Sequence, residues 1–360
     1  MNLFIPLIIL GVLLLITGIL ILLDQLLGSN KEKILTINND TEIKITQTDT
    51  LLNTLAKEEI FIPSACGGKA TCGLCKCKVT SGAGDTLPTE EPFLSEAEKE
   101  AGVRLSCQVK VRDDMHIELP LDQLNAQEYK AKVTAVEDLT YDIVLLRVKL
   151  IEPDTMDFKP GQYAQIEVPG LEVIRAYSIA SNPKHKDMLE FIIRYVPKGK
   201  ATTYIHKAVI VGDTISLTGP YGDFYLQEES DKEMICIAGG SGKAPIRSIL
   251  SYLKDQGMPR KVTYFFGAKS KKDLYYTEEF RDLEKEFDNF KYVPALSDPD
   301  PDDNWEGETG LITEVVDRMT GDLSDKEAYL CGSPGMIDAC NKVLEDHNLP
   351  DQQCFYDKFS

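Results

Sequence analysis

Met234-Ile235-Cys236-Ile237-Ala238-Gly239-Gly240-Ser241-Gly242-Lys243-Ala244-Pro245 is the stretch whose reading decides the fold. Its apolar opening reads as a buried strand, the glycines as a tight turn, and Pro245 as the start of a helix, where a missing N–H is tolerated. A strand that turns through glycines into a helix aims backbone N–H groups outward, and an anionic pyrophosphate can approach them closely. The third position of the G-x-G-x-x-G pattern is Pro245 here. Cys331-Gly332-Ser333-Pro334-Gly335-Met336 repeats the strand-turn-helix geometry further along. Strands read near residues 234–238, 262–266, 292–296, 328–331 and 354–356, with helical stretches between them, give a doubly wound parallel α/β sheet. Ligands gather outside the carboxyl ends of such strands, so Gly239, Gly240, Ser241, Gly242 and Pro245, with Cys331, Gly332, Ser333 and Pro334, are candidates for binding a nicotinamide dinucleotide.

Upstream the pattern changes. Residues 130–226 hold short strands (143–149, 163–168, 189–195) separated by Lys159-Pro160-Gly161 and Thr218-Gly219-Pro220, which predicts an antiparallel β-barrel. Further back, residues 34–37 and 42–45 read as strands around an Asn38-Asn39-Asp40 turn. A helix from about Thr50 follows, capped by Asp49, with Leu51, Leu52 and Leu55 facing inward. The chain is therefore a multidomain mixture of α+β and α/β parts.

The 360 residues carry 39 basic and 58 acidic side chains, a formal charge of −19. Phosphate backbones repel such a surface, which excludes a nucleic-acid partner. A hydrophobic fraction of 43% and a charged fraction of 27% exclude disorder. Residues 3–23 hold no charge and only Thr17 as a polar side chain; as a helix they would rise about 31 Å, the thickness of a bilayer core. With no basic start and no small-residue cleavage site, this reads as an uncleaved transmembrane anchor. Lys31 and Lys33 behind it place the remainder in the cytoplasm. A single helix with one Thr offers an ion no pathway, so any pore would belong to partners.

Four of the nine cysteines, Cys66, Cys72, Cys75 and Cys107, have the spacing C-x5-C-x2-C-x31-C. Three thiolates on one glycine-containing loop and a fourth from a distant segment suit a [2Fe–2S] cluster. Zinc more often takes two separated pairs or includes His, and none of the four His lies near. Cys77 reads as a small buried hydrophobe.

Arg175-Ala176-Tyr177-Ser178 follows one predicted barrel strand, and Gly199-Lys200-Ala201-Thr202-Thr203 follows another. Together they resemble the flavin-binding motifs of the ferredoxin-NADP reductase superfamily. The resemblance implies that Arg175 pairs with the flavin pyrophosphate, Tyr177 lies against the isoalloxazine, Ser178 bonds near its reactive nitrogen, and Gly199, Thr202 and Thr203 hold phosphate.

With these signatures in this order, the whole chain resembles the F subunits of the sodium-translocating NADH:quinone oxidoreductases. The resemblance implies a transmembrane anchor (1–27), a β-grasp 2Fe-2S ferredoxin domain (33–125), a β-barrel FAD domain (128–228) and an NAD domain (232–360). It implies further that NADH reduces FAD and that the cluster passes electrons to the other members of an inner-membrane complex, which reduce quinone and move Na+. Ser178, Cys331 and Phe359 would sit at the reacting rings, Phe359 lying on the flavin. The family tail reads Asp-Asp-Phe-Gly-Gly; here it is Asp357-Lys358-Phe359-Ser360. The competing readings are an oxygenase reductase and a membrane-tethered redox sensor. Lys269, Lys271 and Lys272, after the second sheet strand, could accept a 2′-phosphate, although the resemblance favours NADH.

Overall fold

The computed structural model describes residues 11–19 and 32–359, apart from 65, 121–122 and 172. Residues 11–19 are helical and exposed, and no helix among the described residues is long and apolar enough to cross a membrane. Most of the anchor read from sequence, residues 3–10 and 20–23, lies outside the described residues.

Contacts divide the chain into two units, residues 1–54 with 76–119 and residues 55–75 with 120–360. The first carries a mixed five-stranded sheet of β1 (Lys33–Ile37), β2 (Thr41–Ile45), β3 (Lys76–Ser81), β4 (Val103–Leu105) and β5 (Met115–Glu118), in the order β2-β1-β5-β3-β4. Asn38 and Asn39 close the first hairpin at φ 51° and 60°, a left-handed pair that short polar side chains tolerate. Helix α1 (Leu51–Lys57) corrects one expectation: its cap is Thr50, whose Oγ1 accepts the Asn53 N–H at 3.2 Å. Asp49 accepts instead from the Thr50 N–H and the Asn53 side chain. Leu51 and Leu55 are fully buried.

Between β3 and β4 the chain runs through a loop and the short helix α2 (Glu96–Glu100), which Ser95 and Glu98 close with a reciprocal capping box. The loop is tied down by a buried ion pair. The Glu90 carboxylate, 0% exposed, accepts from Arg104 Nε and Nη2 and from the N–H groups of Leu87 and Leu105. Arg104 spends its remaining donors on the carbonyls of Gly84 and Asp85. Burial alone would raise the Glu90 carboxyl, but these bonds hold it below the usual range.

The second unit holds two six-stranded sheets. In the antiparallel one β6 (Gln127–Asp138), β7 (Ile143–Glu152), β8 (Tyr163–Val168), β9 (Val173–Ser178), β10 (Met188–Arg194) and β11 (Thr214–Tyr221) lie in the order β10-β7-β6-β11-β8-β9, with α3 (Lys200–Lys207) after β10. The strands curl into a half-barrel, whose two edges meet at an isolated Ile179–Phe191 bridge, with the Ala180 N–H donating to the Glu190 carbonyl at 2.7 Å.

The parallel sheet orders β15 (Glu308–Thr309), β14 (Phe290–Leu296), β13 (Val262–Ala268), β12 (Met234–Gly239), β16 (Glu327–Gly332) and β17 (Cys354–Lys358). Helices α4 (Lys243–Asp255), α5 (Thr277–Glu286), α6 (Ile312–Met319) and α7 (Pro334–Asp346) alternate with the strands. The order reverses between β12 and β16, so the crevice lies where both glycine turns emerge. Ile143 and Leu145 of β7 pack into one core with Met234, Ile246 and Tyr264, while Val144 and Leu146 fill the core of the antiparallel sheet. Burial on both faces explains why residues 143–146 of β7 are apolar without alternation, whereas Arg147 and Lys149 alternate with buried Val148 and Leu150.

Removing one partner of a buried pair strands the other charge, so Glu90→Gln should lower stability by about 3–5 kcal/mol at neutral pH. The difference should shrink below the usual Glu range, because a depressed carboxyl gives up its stabilisation as pH falls through its folded pKa. Urea unfolding of both proteins at pH 7 and pH 4 measures it.

Candidate functional site

The cysteine loop reaches its shape through left-handed residues: Gly67, Gly68, Ala70 and Gly73 have φ between 53° and 82°. Ser64 anchors the turn, its carbonyl accepting from the Gly67 N–H and its Oγ from the Gly68 N–H. Cys66 and Cys72 lie with their sulfurs 3.4 Å apart. Burial would raise the Cys66 thiol, but bonds from the Thr71 backbone, the Cys72 side chain and the Lys69 backbone bring it down to about 7. A thiol so poised, with N–H groups around it, fits an iron ligand. Cys75 is buried just before β3. Cys107 is buried after β4, and its sulfur accepts from the Gln108 side chain at 3.5 Å. Among the described residues no three His, Cys, Asp or Glu side chains gather at metal-holding distance. Cys77 is buried in β3 with its thiol pushed up to about 12 by burial.

In the antiparallel sheet, β9 pairs with β8 so that Tyr177 faces Ala164 and Ser178 faces Tyr163. Arg175 is exposed, its guanidinium donating to the Ile174 carbonyl at 2.7 Å. Ala176 is half-buried, Tyr177 is half-buried with its phenol raised by burial, and Ser178 is buried. Gly199 caps α3, and a Cβ there would stand 2.8 Å from Thr202 Oγ1. That hydroxyl accepts the Val196 N–H and donates to the Val196 carbonyl. It closes the loop, leaving backbone N–H groups at the helix start, beside Thr203, as the donors that could meet phosphate.

The two turns of the parallel sheet meet directly. Ala238 pairs with Cys331, and a Cβ on Gly242 would collide with the Cys331 carbonyl. Gly240 sits at φ 56° with Arg194 Nη1 3.3 Å from where its Cβ would be, and a Cβ on Gly239 would lie 2.8 Å from Met336 Sδ. At Gly242, hard against the backbone of Cys331 and Gly332, no side chain fits. Gly240 to Gly242, including Ser241, form a single 3-10 turn that runs into α4, so Pro245 is the third residue of the helix and not its first. Pro334 does open α7, with Ser333 as its cap residue and Gly332 ending β16. Lys269 faces Asp298 at 3.7 Å and Lys271 Nζ donates to the Asp303 carbonyl.

A cavity of about 460 Å3 in the second unit is lined by Tyr163, Tyr221, Phe355 and Asp357, with Leu74 of the cysteine loop also on its wall. The Phe359 N–H donates to the Gly332 carbonyl at 2.8 Å, extending the β16–β17 ladder. Asp357 pairs in register with Cys331, whose thiol is raised by its own burial and by the Asp357 carboxylate. Sequence reasoning singles out Asp357 only as part of the tail, yet burial pushes its carboxyl up to about 6. The residue pattern holds one signal for it, an acidic position alternating with Phe355 and Phe359 on an apolar strand. Lys243, fully buried beneath the turn, escapes the same reasoning, since a lysine after three glycines reads as a phosphate ligand or a solvated side chain.

A carboxyl raised in the folded state loses stability progressively as pH rises from the ordinary Asp value to about 6, so at neutral pH Asp357 destabilises the native protein by at most about 3 kcal/mol. Asp357→Asn should unfold at a higher temperature than the native protein at pH 7.5, and the gap should close as pH falls toward 4. Thermal midpoints across that range check it.

Three family models match successive parts of the chain: a 2Fe-2S iron-sulfur cluster binding domain over residues 35–112, an oxidoreductase FAD-binding domain over 130–225, and an oxidoreductase NAD-binding domain over 236–342. The chain carries these domains and is an oxidoreductase. Among solved structures it is similar to an Amycolatopsis cytochrome P450 reductase (TM-score 0.75, 28% identity, 91% of this chain and 98% of the other). It is also similar to a ferredoxin reductase in carbazole 1,9a-dioxygenase (TM-score 0.70, 26% identity, 92% and 99%). Curated relatives match more closely in sequence. The F subunits of the Na(+)-translocating NADH-quinone reductases of Marinomonas sp. (strain MWYL1) and Idiomarina loihiensis are each 36% identical over 90% of this chain and 90% of their own length. The chain belongs to the family of F subunits of the Na(+)-translocating NADH-quinone reductases.

Proposed function

We propose that this chain is the electron-input component of a membrane NADH:quinone reductase. The observation that carries the reading is the meeting of the Gly239–Gly242 and Cys331–Pro334 turns at the point where the parallel sheet reverses its order. Bound flavin supplies the exchange of a hydride pair for single electrons that a nicotinamide donor and an iron–sulfur acceptor require. The chain's own residues bind, orient and shield. The N–H groups of the Gly239–Gly242 turn receive the dinucleotide pyrophosphate, with Pro245 in the first turn of the helix behind it. Gly332, Ser333 and Pro334 hold the nicotinamide half beside Cys331. Arg175 and the N-terminal turn of α3 at Gly199, Thr202 and Thr203 neutralise flavin phosphate, while Ala176, Tyr177 and Ser178 present a strand edge to the ring. Cys66, Cys72, Cys75 and Cys107 ligate iron.

In this reading the modules run 1–27, 33–125 (β-grasp), 128–228 (antiparallel barrel) and 232–360. The first is a single-pass anchor in the cytoplasmic membrane, and the others are cytoplasmic. Partner subunits take the electrons, reduce quinone and translocate Na+.

Cys72→Ala should abolish the visible iron–sulfur spectrum while flavin stays bound and NADH-to-ferricyanide activity survives, because hydride transfer precedes the cluster. Quinone reduction by the assembled complex should stop. An intact cluster spectrum would remove Cys72 from the ligand set. Phe359 gates the ring face that nicotinamide must occupy, its backbone tied to the Gly332 carbonyl. Phe359→Ala should therefore alter the flavin absorption envelope and tighten NADH binding by about 1 kcal/mol, the size of one aromatic stacking contact. Stopped-flow flavin reduction and nucleotide titration measure both.

A further inference from the structure

Lys243 opens α4 with no exposed surface. Its Nζ donates to the Tyr275 carbonyl at 2.6 Å. Around it the rings of Phe266, Tyr275, Phe280 and Tyr292 have their centres 3.6, 4.5, 5.1 and 5.7 Å away. Tyr275 answers in the opposite direction, its hydroxyl donating to the Gly240 carbonyl at 2.7 Å. Gly240 is the left-handed residue of the dinucleotide turn and Lys243 is the residue immediately after it, so the two bonds hold both ends of the turn to one tyrosine. The next residue, Tyr276, is itself left-handed at φ 53° and lies under the Arg247 guanidinium at 4.6 Å.

The ionisable groups facing this box are Arg247 from α4, Glu279 from α5, Tyr264 from β13, Tyr292 from β14, and Tyr275. Cys236 of β12 and Cys331 of β16 lie beyond Tyr264. Tyr264 Oη is buried with no hydrogen-bond partner among the described residues. π faces and a short charge-assisted bond favour an ammonium, while exclusion of water opposes it. Burial dominates and takes the amine well below its ordinary range; Glu279 pulls it back and Arg247 pushes it further.

We infer that Lys243 and Tyr275 form a proton-linked clasp that positions the Gly239–Gly242 turn for the dinucleotide. The inference rests on the reading that this turn binds pyrophosphate. Lys243 makes no contact with the ligand; it is a positioning residue acting through Tyr275 and Gly240. A dianionic pyrophosphate at the helix start favours the protonated amine. By reciprocity, nucleotide binding takes up a proton and affinity falls as pH rises.

The test uses the full chain loaded with FAD, titrated with NAD+ by calorimetry in two buffers of different ionisation heat between pH 6.5 and 9. The native protein should lose about fivefold in affinity over that range, with net proton uptake. Lys243→Met, similar in length and apolar, should give a flat profile without that uptake. Tyr275→Phe should weaken binding at every pH and flatten the slope, because it removes the hydroxyl that carries the link to Gly240. A second readout needs no nucleotide. A lysine depressed in the folded state makes the native protein more stable as pH rises toward 10.5. Lys243→Met should therefore melt higher than the native protein at pH 7, and the gap should narrow toward pH 10. Identical pH profiles in the native and Lys243→Met proteins, or a melting gap that does not change with pH, would overturn the clasp. A narrowing gap in a native protein that binds no NAD+ would overturn the nucleotide reading and, with it, the role assigned to the clasp.

Discussion

The second unit depends on how α4 is seated. Its first turn is pressed so closely against the end of β16 that Gly242 has no room for a side chain beside the Cys331 carbonyl. Its next turns reach the antiparallel sheet: Ser248 Oγ donates to the Ser181 carbonyl at 2.7 Å, and Arg247 Nη1 to Glu190 at 2.6 Å. One helix thus ties the end of β9, which carries the flavin motif, to the turn that carries the dinucleotide motif. A relative shift of the two sheets would break these bonds and open the core they share, so the distance between the two ring sites is a property of packing.

Charge inside this packing is treated in three ways. Glu190 is shared between Arg147 and Arg247, and although burial would raise its carboxyl, the two guanidiniums hold it down. Arg260 and Glu327 pair at 2.6 Å with Tyr329 donating to the same carboxylate. Glu90 and Arg104 have every strong donor and acceptor occupied. Such pairs specify geometry more reliably than they add stability, because desolvation consumes most of the attraction. Among the described residues Lys243 and Asp357 have no buried counter-ion of this kind, and both flank the crevice. Groups left without a full partner near a ligand site are those whose protonation a bound ligand can move.

The parallel sheet was legible because each strand is a short apolar run ending in glycine or a polar turn, and the helices between keep a separate period. The turn was legible from its three glycines, but its end was not, because the helix begins at Lys243, two residues before Pro245. β15 is two residues long and paired only through Ala295 and Leu296, too short to show any period. How far β9 and β10 curl toward each other to shape the half-barrel is something no local window records. The inward turn of Lys243 was illegible because its cage comes from β13, β14 and α5, each distant in the chain. The four cysteines were legible by spacing, but the pairing of their sulfurs depends on loop torsions that glycine permits without dictating.

β17 ends the order of its sheet, leaving one rim of backbone N–H and carbonyl groups without a neighbouring strand among the described residues. Such a rim invites a second chain to add itself as another strand. Lys358 stands on it, paired with Asp338 at 2.6 Å, and its ammonium lies 5.2 Å from the centre of the exposed Tyr356 ring. An incoming apolar strand would have to strip water from that charge and displace its ion pair. The lysine therefore works as a guard against aggregation, on the strand that also carries the half-buried Asp357.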